Sequence, residues 1–262
     1  MKKQHTKLLS AALAAGVCLA LILSSCFALP ASAKTADGKT VIVLDPGHGG
    51  EETGAVKPPF VEKFLSLYLA QWVQVFLSSY DNVEVDLTHP GDTDMSLKER
   101  VDYAKSVNAD FFACLHFNAS SGEPSRSGAE VYITIDPSLF PQEAFFAQTE
   151  LDELSALGLD VRGIKFRIGT NGDYYGITRR CTAYGIESAL IEHCFLDAAK
   201  DRAFLGNGDS SALQLSLQTL AYADADAIAK HLRLKSSNTG VDYTNYTDPA
   251  ITWPVLPYSA SN

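Results

Sequence analysis

Apolar residues recur along the chain in two alternating rhythms, and each change of rhythm marks a switch between strand and helix. Val41 to Leu44 is a continuous apolar run halted by Asp45-Pro46-Gly47, which reads as a buried strand ended by a turn. Over residues 62–80, Leu65, Leu69, Trp72, Val73 and Phe76 share one face at helical spacing, just after Pro58-Pro59, which cannot lie inside a helix. Val83 to Thr88 alternates with a period of two, as a second strand does. Ser96 and Glu99 have the spacing of a capping box, opening a helix whose apolar stripe continues through Val101 and Ala104. Asp110 to His116 and Gly128 to Ile135 read as further strands, and Phe140 to Leu157 as an acidic amphipathic helix. The glycine-rich stretch through Gly163, Ile164, Lys165, Tyr174 and Tyr175 has no clear period and is expected to wall a groove. Ser188 to Glu192 is the last predicted strand, followed by a short helix from Ala198 and a long one from Ser210 to Leu232, with Leu217, Leu220, Ile228 and Leu232 on its inner face.

Strands that alternate with helices predict an α/β fold, here a single domain with a mostly parallel sheet flanked by helices on both faces. The two ends of the chain fall outside it. Residues 1–33 combine Lys2, Lys3 and Lys7, an apolar run from Leu8 to Leu23 and Ala31-Ser32-Ala33, the pattern of a secretory signal peptide. Two other fates are compatible with that segment: Leu23-Ser24-Ser25-Cys26 resembles a lipoprotein box with Cys26 as the lipidated residue, and the apolar run is long enough for an uncleaved membrane anchor. From Ser236 the composition turns to Ser, Asn, Thr, Tyr and Pro without periodicity, so 236–262 is expected to be a flexible tail and 34–235 the folded domain.

Charge and cysteine content narrow the partners. Taking the three lysines of 1–33 from the 21 basic residues leaves 18 against 31 acidic ones, a formal charge of −13. That balance excludes nucleic acid as an expected partner. Cys114, Cys181 and Cys194 are too few for a disulfide-framed scaffold and fit no cysteine-based zinc motif; they are expected to be unpaired, with a Cys181–Cys194 bridge as the alternative.

Two of the predicted strands lead into histidine, His48 on the turn after the first and His116 closing the third. Parallel neighbours would carry both imidazoles to one rim, where ligands gather in open α/β sheets. Gly47, Gly49 and Gly50 around His48 leave room for a close approach. Each residue also has a plainer reading: a tight turn for His48, a hydrogen-bonded strand end for His116, and for Glu62 a first-turn carboxylate favoured by the helix dipole. Together they form a His₂Glu set, a common arrangement for catalytic zinc with one open position. Glu51 and Glu52 are rival ligands to Glu62. Glu192, at the end of an apolar strand, is then a carboxylate left over to act as general base. His89 is expected to be exposed in a loop, and Arg100 to brace a nearby carboxylate. No P-loop, paired CxxC or Ser-His-Asp arrangement competes, so the residues point to zinc-assisted hydrolysis outside the cytoplasm.

The order DPGHGG, Glu62-Lys63, SLKERVDYAKS, LHFNAS, SGAEVY, RGIK and SALIEHCFL resembles the zinc-dependent N-acetylmuramoyl-L-alanine amidases of bacteria, from about Val41 to Leu232. The resemblance implies His48, Glu62 and His116 as ligands of Zn²⁺ and Glu192 as the catalytic glutamate. It implies peptidoglycan as substrate, secretion to the cell envelope, and Asn118, Arg162 and Lys165 as substrate contacts. A zinc peptidase acting on the stem peptide and a non-catalytic wall-binding module are the competing functions. His193-Cys194 depart from the family, which usually has a small or apolar residue and then Gly before Phe. His193 is expected at the rim, with a hydrogen-bonding role behind the ligands as the alternative. The groove is expected to be open, because no long helix is inserted to cover it.

Overall fold

In the first strand, β1 (Thr40–Pro46), every one of the seven residues is buried, the mark of a strand covered on both faces. The structure, a computed structural model, describes residues 38–120 and 126–257. The signal segment 1–33, with Cys26, lies outside them.

After β1 a small hairpin, β2 (Val56–Lys57) and β3 (Phe60–Val61), leads directly into helix α1 (Glu62–Leu77). Strand β4 (Val83–Leu87) follows, then helix α2 (Leu97–Ser106), where Ser96 and Glu99 form the expected capping box. Strands β5 (Phe111–Asn118) and β6 (Ala129–Tyr132) come next, then helix α3 (Phe140–Ala156) and strand β7 (Val161–Phe166). The tight hairpin of β8 (Ile168–Gly169) and β9 (Gly172–Asp173) precedes helix α4 (Gly176–Tyr184) and strand β10 (Glu187–Phe195). Helices α5 (Ala199–Phe204) and α6 (Ser210–His231) and strand β11 (Val255–Pro257) complete the order.

Seven strands form one sheet in the order β11-β7-β6-β10-β5-β1-β4. Every neighbouring pair is parallel except β10 with β6, so β6, β7 and β11 run against the other four. Two apolar layers cover the sheet. On one face α1, α3 and α6 pack Leu69, Val73, Leu151, Leu220 and Ile228 onto Ile42, Leu44, Phe111 and Leu115. On the other, α2 and α4 pack Val101, Ala104, Ile177 and Cys181 onto Val43, Phe112, Cys114 and Leu190. Each large side chain so buried contributes about 1.5–3 kcal/mol of transfer free energy, which outweighs the weak helical preference of any single position. Cys114, Cys181 and Cys194 are buried free thiols. Among the described residues no helix is long and apolar enough to cross a membrane.

The tail departs from expectation. Val255 to Pro257 pair in parallel with Ile164 to Phe166 as the seventh strand, and the peptide N–H of Ile164 donates to the carbonyl of Pro254 (2.9 Å). The segment is tied down ahead of that strand as well. The amides of Thr252 and Trp253 donate to Gln148 Oε1, and the Trp253 indole N–H to Asp152. Tyr243 bonds Asp226. Gly163 makes the close approach possible: its φ is +96°, and a Cβ there would lie 2.6 Å from the Pro254 oxygen. The folded unit therefore extends past 235. A three-residue strand between prolines shows no alternation, so composition alone misread it.

Candidate metal centre and active site

The carboxyl ends of β1 and β5 lie side by side, in register from Ile42–Phe111 to Pro46–Leu115. His48, just past β1, and His116, in β5, therefore reach the same rim. Their rings meet edge to face, 4.9 Å between centroids. Glu62 arrives from the first position of α1, and its Oε1 lies 3.1 Å from His48 Nε2 and 2.9 Å from His116 Nδ1. The three residues each offer a ligand atom within 4.8 Å of the other two. The second oxygen of Glu62 accepts from the amide of Ala55 (2.8 Å), which fixes the carboxylate. Glu52 contacts the outward Nδ1 of His48 (3.3 Å) and is largely exposed, so of the rival carboxylates it supports a histidine from outside the cluster.

Two imidazoles and one carboxylate converging this closely share either N–H hydrogen bonds or a metal ion. Burial opposes protonation of His48, but Glu62 and Glu52 outweigh it and raise its pKa above the ordinary 6.5. Burial likewise works against the Glu62 anion, yet the two histidines hold its carboxyl well below the usual range. The backbone is cut to fit this cluster. A Cβ on Gly47 would fall 2.4 Å from His116 Cε1, and one on Gly54 would fall 2.5 Å from His48 Cδ2 and 2.6 Å from Glu62 Oε2. The nitrogen and oxygen donors suit a borderline divalent ion such as zinc.

His48 itself has φ +67°, a strained conformation for a residue with a Cβ. Arg100 holds it there. One guanidinium nitrogen donates to the His48 carbonyl (2.8 Å), and the other to Asp45 (2.8 Å) and the Pro46 carbonyl (2.7 Å). Arg100 thus braces a carboxylate as expected. His89 corrects the reading of an exposed loop residue: it is only 4% exposed, with Nε2 against the Pro46 carbonyl and Arg100, and Nδ1 against the Gly91 carbonyl. The loop after β4 folds back beneath the His48 turn, a tertiary contact with no local signal.

Glu192 is the register partner of His116 on one side and of Glu130 on the other, so all three side chains lie on one face. Its Oε2 is shielded from solvent with no hydrogen-bond partner. Burial, reinforced by Glu62 and Glu130, pushes its carboxyl well above the usual range. His48, Glu62, His116 and Glu192 line one open cavity of about 640 Å³ together with Asn118, Ser96, Leu97 and Tyr175. Among the described residues the starts of α2 and α4 border it, and α3 packs on the far face of the sheet.

Of the three expected substrate contacts, Asn118 lines this cavity. Arg162 and Lys165 do not. Arg162 reaches Glu130 (3.0 Å), which also accepts from Asn118 (3.0 Å) and Tyr132 (2.9 Å), and Lys165 is 5% exposed in β7. Glu130 is thus the hub of a polar cluster beside the cavity. Its sequence signal, an acid inside an otherwise apolar strand, was present but was not read as functional. His193 is likewise corrected: it is completely buried, on the side of the sheet away from the cavity.

The sequence and the fold resemble those of known proteins. The family model for N-acetylmuramoyl-L-alanine amidases, Amidase_3, matches residues 42–246, and the chain belongs to that family. It is 41% identical over 197 residues to N-acetylmuramoyl-L-alanine amidase CwlM of Bacillus licheniformis, covering 75% of this chain and 70% of that one. With N-acetylmuramoyl-L-alanine amidase LytC of Bacillus subtilis (strain 168) it shares 29% over 188 residues, 71% of this chain but 36% of the relative. The chain therefore spans about a third of LytC. Among solved structures, the catalytic domain of CwlV, an N-acetylmuramoyl-L-alanine amidase from Bacillus (Paenibacillus) polymyxa var. colistinus, superposes with a TM-score of 0.63 at 29% identity. That match covers 75% of this chain and 99% of that domain.

Proposed function

We propose that the cavity hydrolyses the amide joining N-acetylmuramic acid to the L-alanine of the peptidoglycan stem, with Zn²⁺ held by His48, Glu62 and His116. The observation that carries this reading is the convergence of those three donors beside Glu192, on one face at one rim. When bound on such a donor set, zinc supplies Lewis acidity, polarising a carbonyl oxygen and easing loss of a proton from water.

The chain's own residues do the rest. Glu192 takes a proton from the attacking water as the oxygen–carbon bond forms, and returns it to the leaving nitrogen as the carbon–nitrogen bond breaks. Burial raises its pKa, which suits return of the proton to the leaving nitrogen, while taking a proton from water requires its ionised form. Glu130 beside it keeps that proton affinity high, and a cation at the three donors would offset it. Asn118 is placed to meet the substrate from the cavity wall, while Arg162 acts through Glu130. The open groove suits a polymer, whose strands must lie across the site and not enter it end first. Residues 1–33 are proposed to direct the chain out of the cytoplasm to where such a polymer lies, as a cleaved signal peptide or as a lipoprotein anchored at Cys26.

The test is product analysis. Purified zinc-loaded protein should release new L-alanine amino termini from peptidoglycan, and a chelator should stop it. Cleavage between amino acids, leaving the muramic acid substituted, would instead identify a stem peptidase. Binding to wall fragments without any cleavage would identify a binding module.

A further inference from the structure

We propose that His193, backed by Asp224, is a positioning residue for the metal centre: it fixes the backbone of His116 from the opposite side of the sheet. The proposal rests on the amidase reading above.

The argument begins with a fault in the sheet. Pairing of β10 with β5 proceeds in step up to Glu192–His116 and then jumps to Phe195–Asn118, so two residues of β10 face one of β5. Such a bulge breaks the backbone ladder and redirects the flanking side chains. Here it falls between the proposed base and the strand that carries a proposed ligand. At the break the carbonyl of His116 accepts from Nδ1 of His193 (2.9 Å), so a side chain takes up a backbone acceptor where the ladder is interrupted. A buried carbonyl left without a donor is costly, so loss of this N–H presses the strand to shift toward another.

The imidazole is held on its other side too. Its Nε2 lies 3.0 and 3.1 Å from the two oxygens of Asp224 in α6. Glu150 of α3 closes the group; His193, Asp224 and Glu150 are all 0% exposed, and neither Glu150 oxygen meets a hydrogen-bond donor. Burial, with Asp224 beside it, pushes the Glu150 carboxyl well up. Phe117 stacks obliquely on the His193 ring at 5.4 Å, which leaves the imidazole one orientation. His193, Asp224 and Glu150 do not line the cavity; Phe117 does. Among the described residues the imidazole reaches the site by two adjoining steps of β5: the carbonyl of His116, whose side chain emerges on the other face, and Phe117, whose amide donates to Glu62 Oε1 (3.2 Å).

The expected consequence is selective. Removing a group that orients a metal ligand typically costs about 10–100-fold in metal affinity or activity. The experiment compares full-length wild type with His193→Leu, His193→Asn, Asp224→Ala and, as a control for ordinary core damage on the same face, Leu151→Ala. For each, zinc affinity is measured by chelator competition, kcat and KM on peptidoglycan fragments, and Tm with and without metal. Loss of the ring donor in His193→Leu should weaken zinc binding by about 10–100-fold and lower kcat with little change in KM. His193→Asn, whose amide can still donate to the His116 carbonyl, should recover most of both. Leu151→Ala should lower Tm while leaving zinc affinity unchanged. If His193→Leu fails to fold, His193→Asn set against Asp224→Ala carries the same contrast.

Unchanged zinc affinity and kcat in the folded His193 and Asp224 variants would overturn the proposal, as would an equal loss in Leu151→Ala. A second zinc ion in the wild type, lost in Glu150→Gln, would also overturn it, because the buried group would then be a metal site and not a brace. Inactive, metal-free wild type would instead refute the amidase reading itself.

Discussion

On the two sides of strand β5, a histidine meets carboxylates in very different surroundings. His48, His116 and Glu62 stand at an open rim, with the histidine side chains 19% and 17% exposed. Glu150, His193 and Asp224 are sealed between the sheet and helices α3 and α6. Both groups could hold a metal by residue type and spacing. What separates them is access: the first borders a cavity that water and a substrate can enter, while the second can act only through the bonds it makes. Donor identity is therefore a poor guide to function unless it is joined to the face of the sheet on which the donors lie.

The sharpest way to break the comparison is to remove one donor from each side. His116→Ala or Glu62→Gln should abolish zinc binding and chelator-sensitive turnover, whereas Glu150→Gln should keep a full complement of one zinc per chain, read by elemental analysis. The next largest effect is expected from Glu192→Gln, which should retain zinc while kcat falls by about 10²–10⁴-fold, the usual contribution of a general acid–base group. Arg100→Met would test the support beneath His48. Asp45 is 1% exposed and would be left charged beside an uncharged side chain, so unfolding by denaturant should reveal a loss of about 3–5 kcal/mol.

The smallest effect is a crossing pH dependence. In metal-free protein the raised pKa of His48 gives a stabilisation that is complete below its ordinary value of 6.5 and is lost as pH rises through the folded value. Zinc needs the unprotonated ring, so its affinity should climb with pH over the same window. Thermal melts of chelated and zinc-loaded protein across that range should therefore diverge as pH rises. Parallel curves would mean that His48 is not a ligand.

Much of this was legible in the residues because strand ends and helix starts carry local marks. The apolar run before His48 and the alternation leading to His116 point both histidines to one rim, whereas Glu62 stands out from Glu51 and Glu52 only through the family resemblance. Where the reading failed, the deciding contact was remote. His89 is buried because Arg100, eleven residues on, folds back over it, and nothing near position 89 announces that. Alternation from Glu192 puts His193 on the opposite face of the sheet, where it lies; what the pattern did not show is that Asp224 of α6 closes over it there. Its partners Asp224 and Glu150 sit on helices whose small and acidic residues read as ordinary surface. The reversed direction of β6 was also hidden, since an amphipathic or apolar strand has the same period whichever way it runs.

The outermost rung of the sheet has a practical bearing. A version trimmed where the chain turns rich in serine and asparagine would strip Val255–Pro257 from β7 and leave that strand's amides and carbonyls bare along one border. Bare borders of this kind recruit matching strands from other copies and promote aggregation. The closing stretch, unpromising as text, thus works as a selvedge that keeps the weave from unravelling into its neighbours.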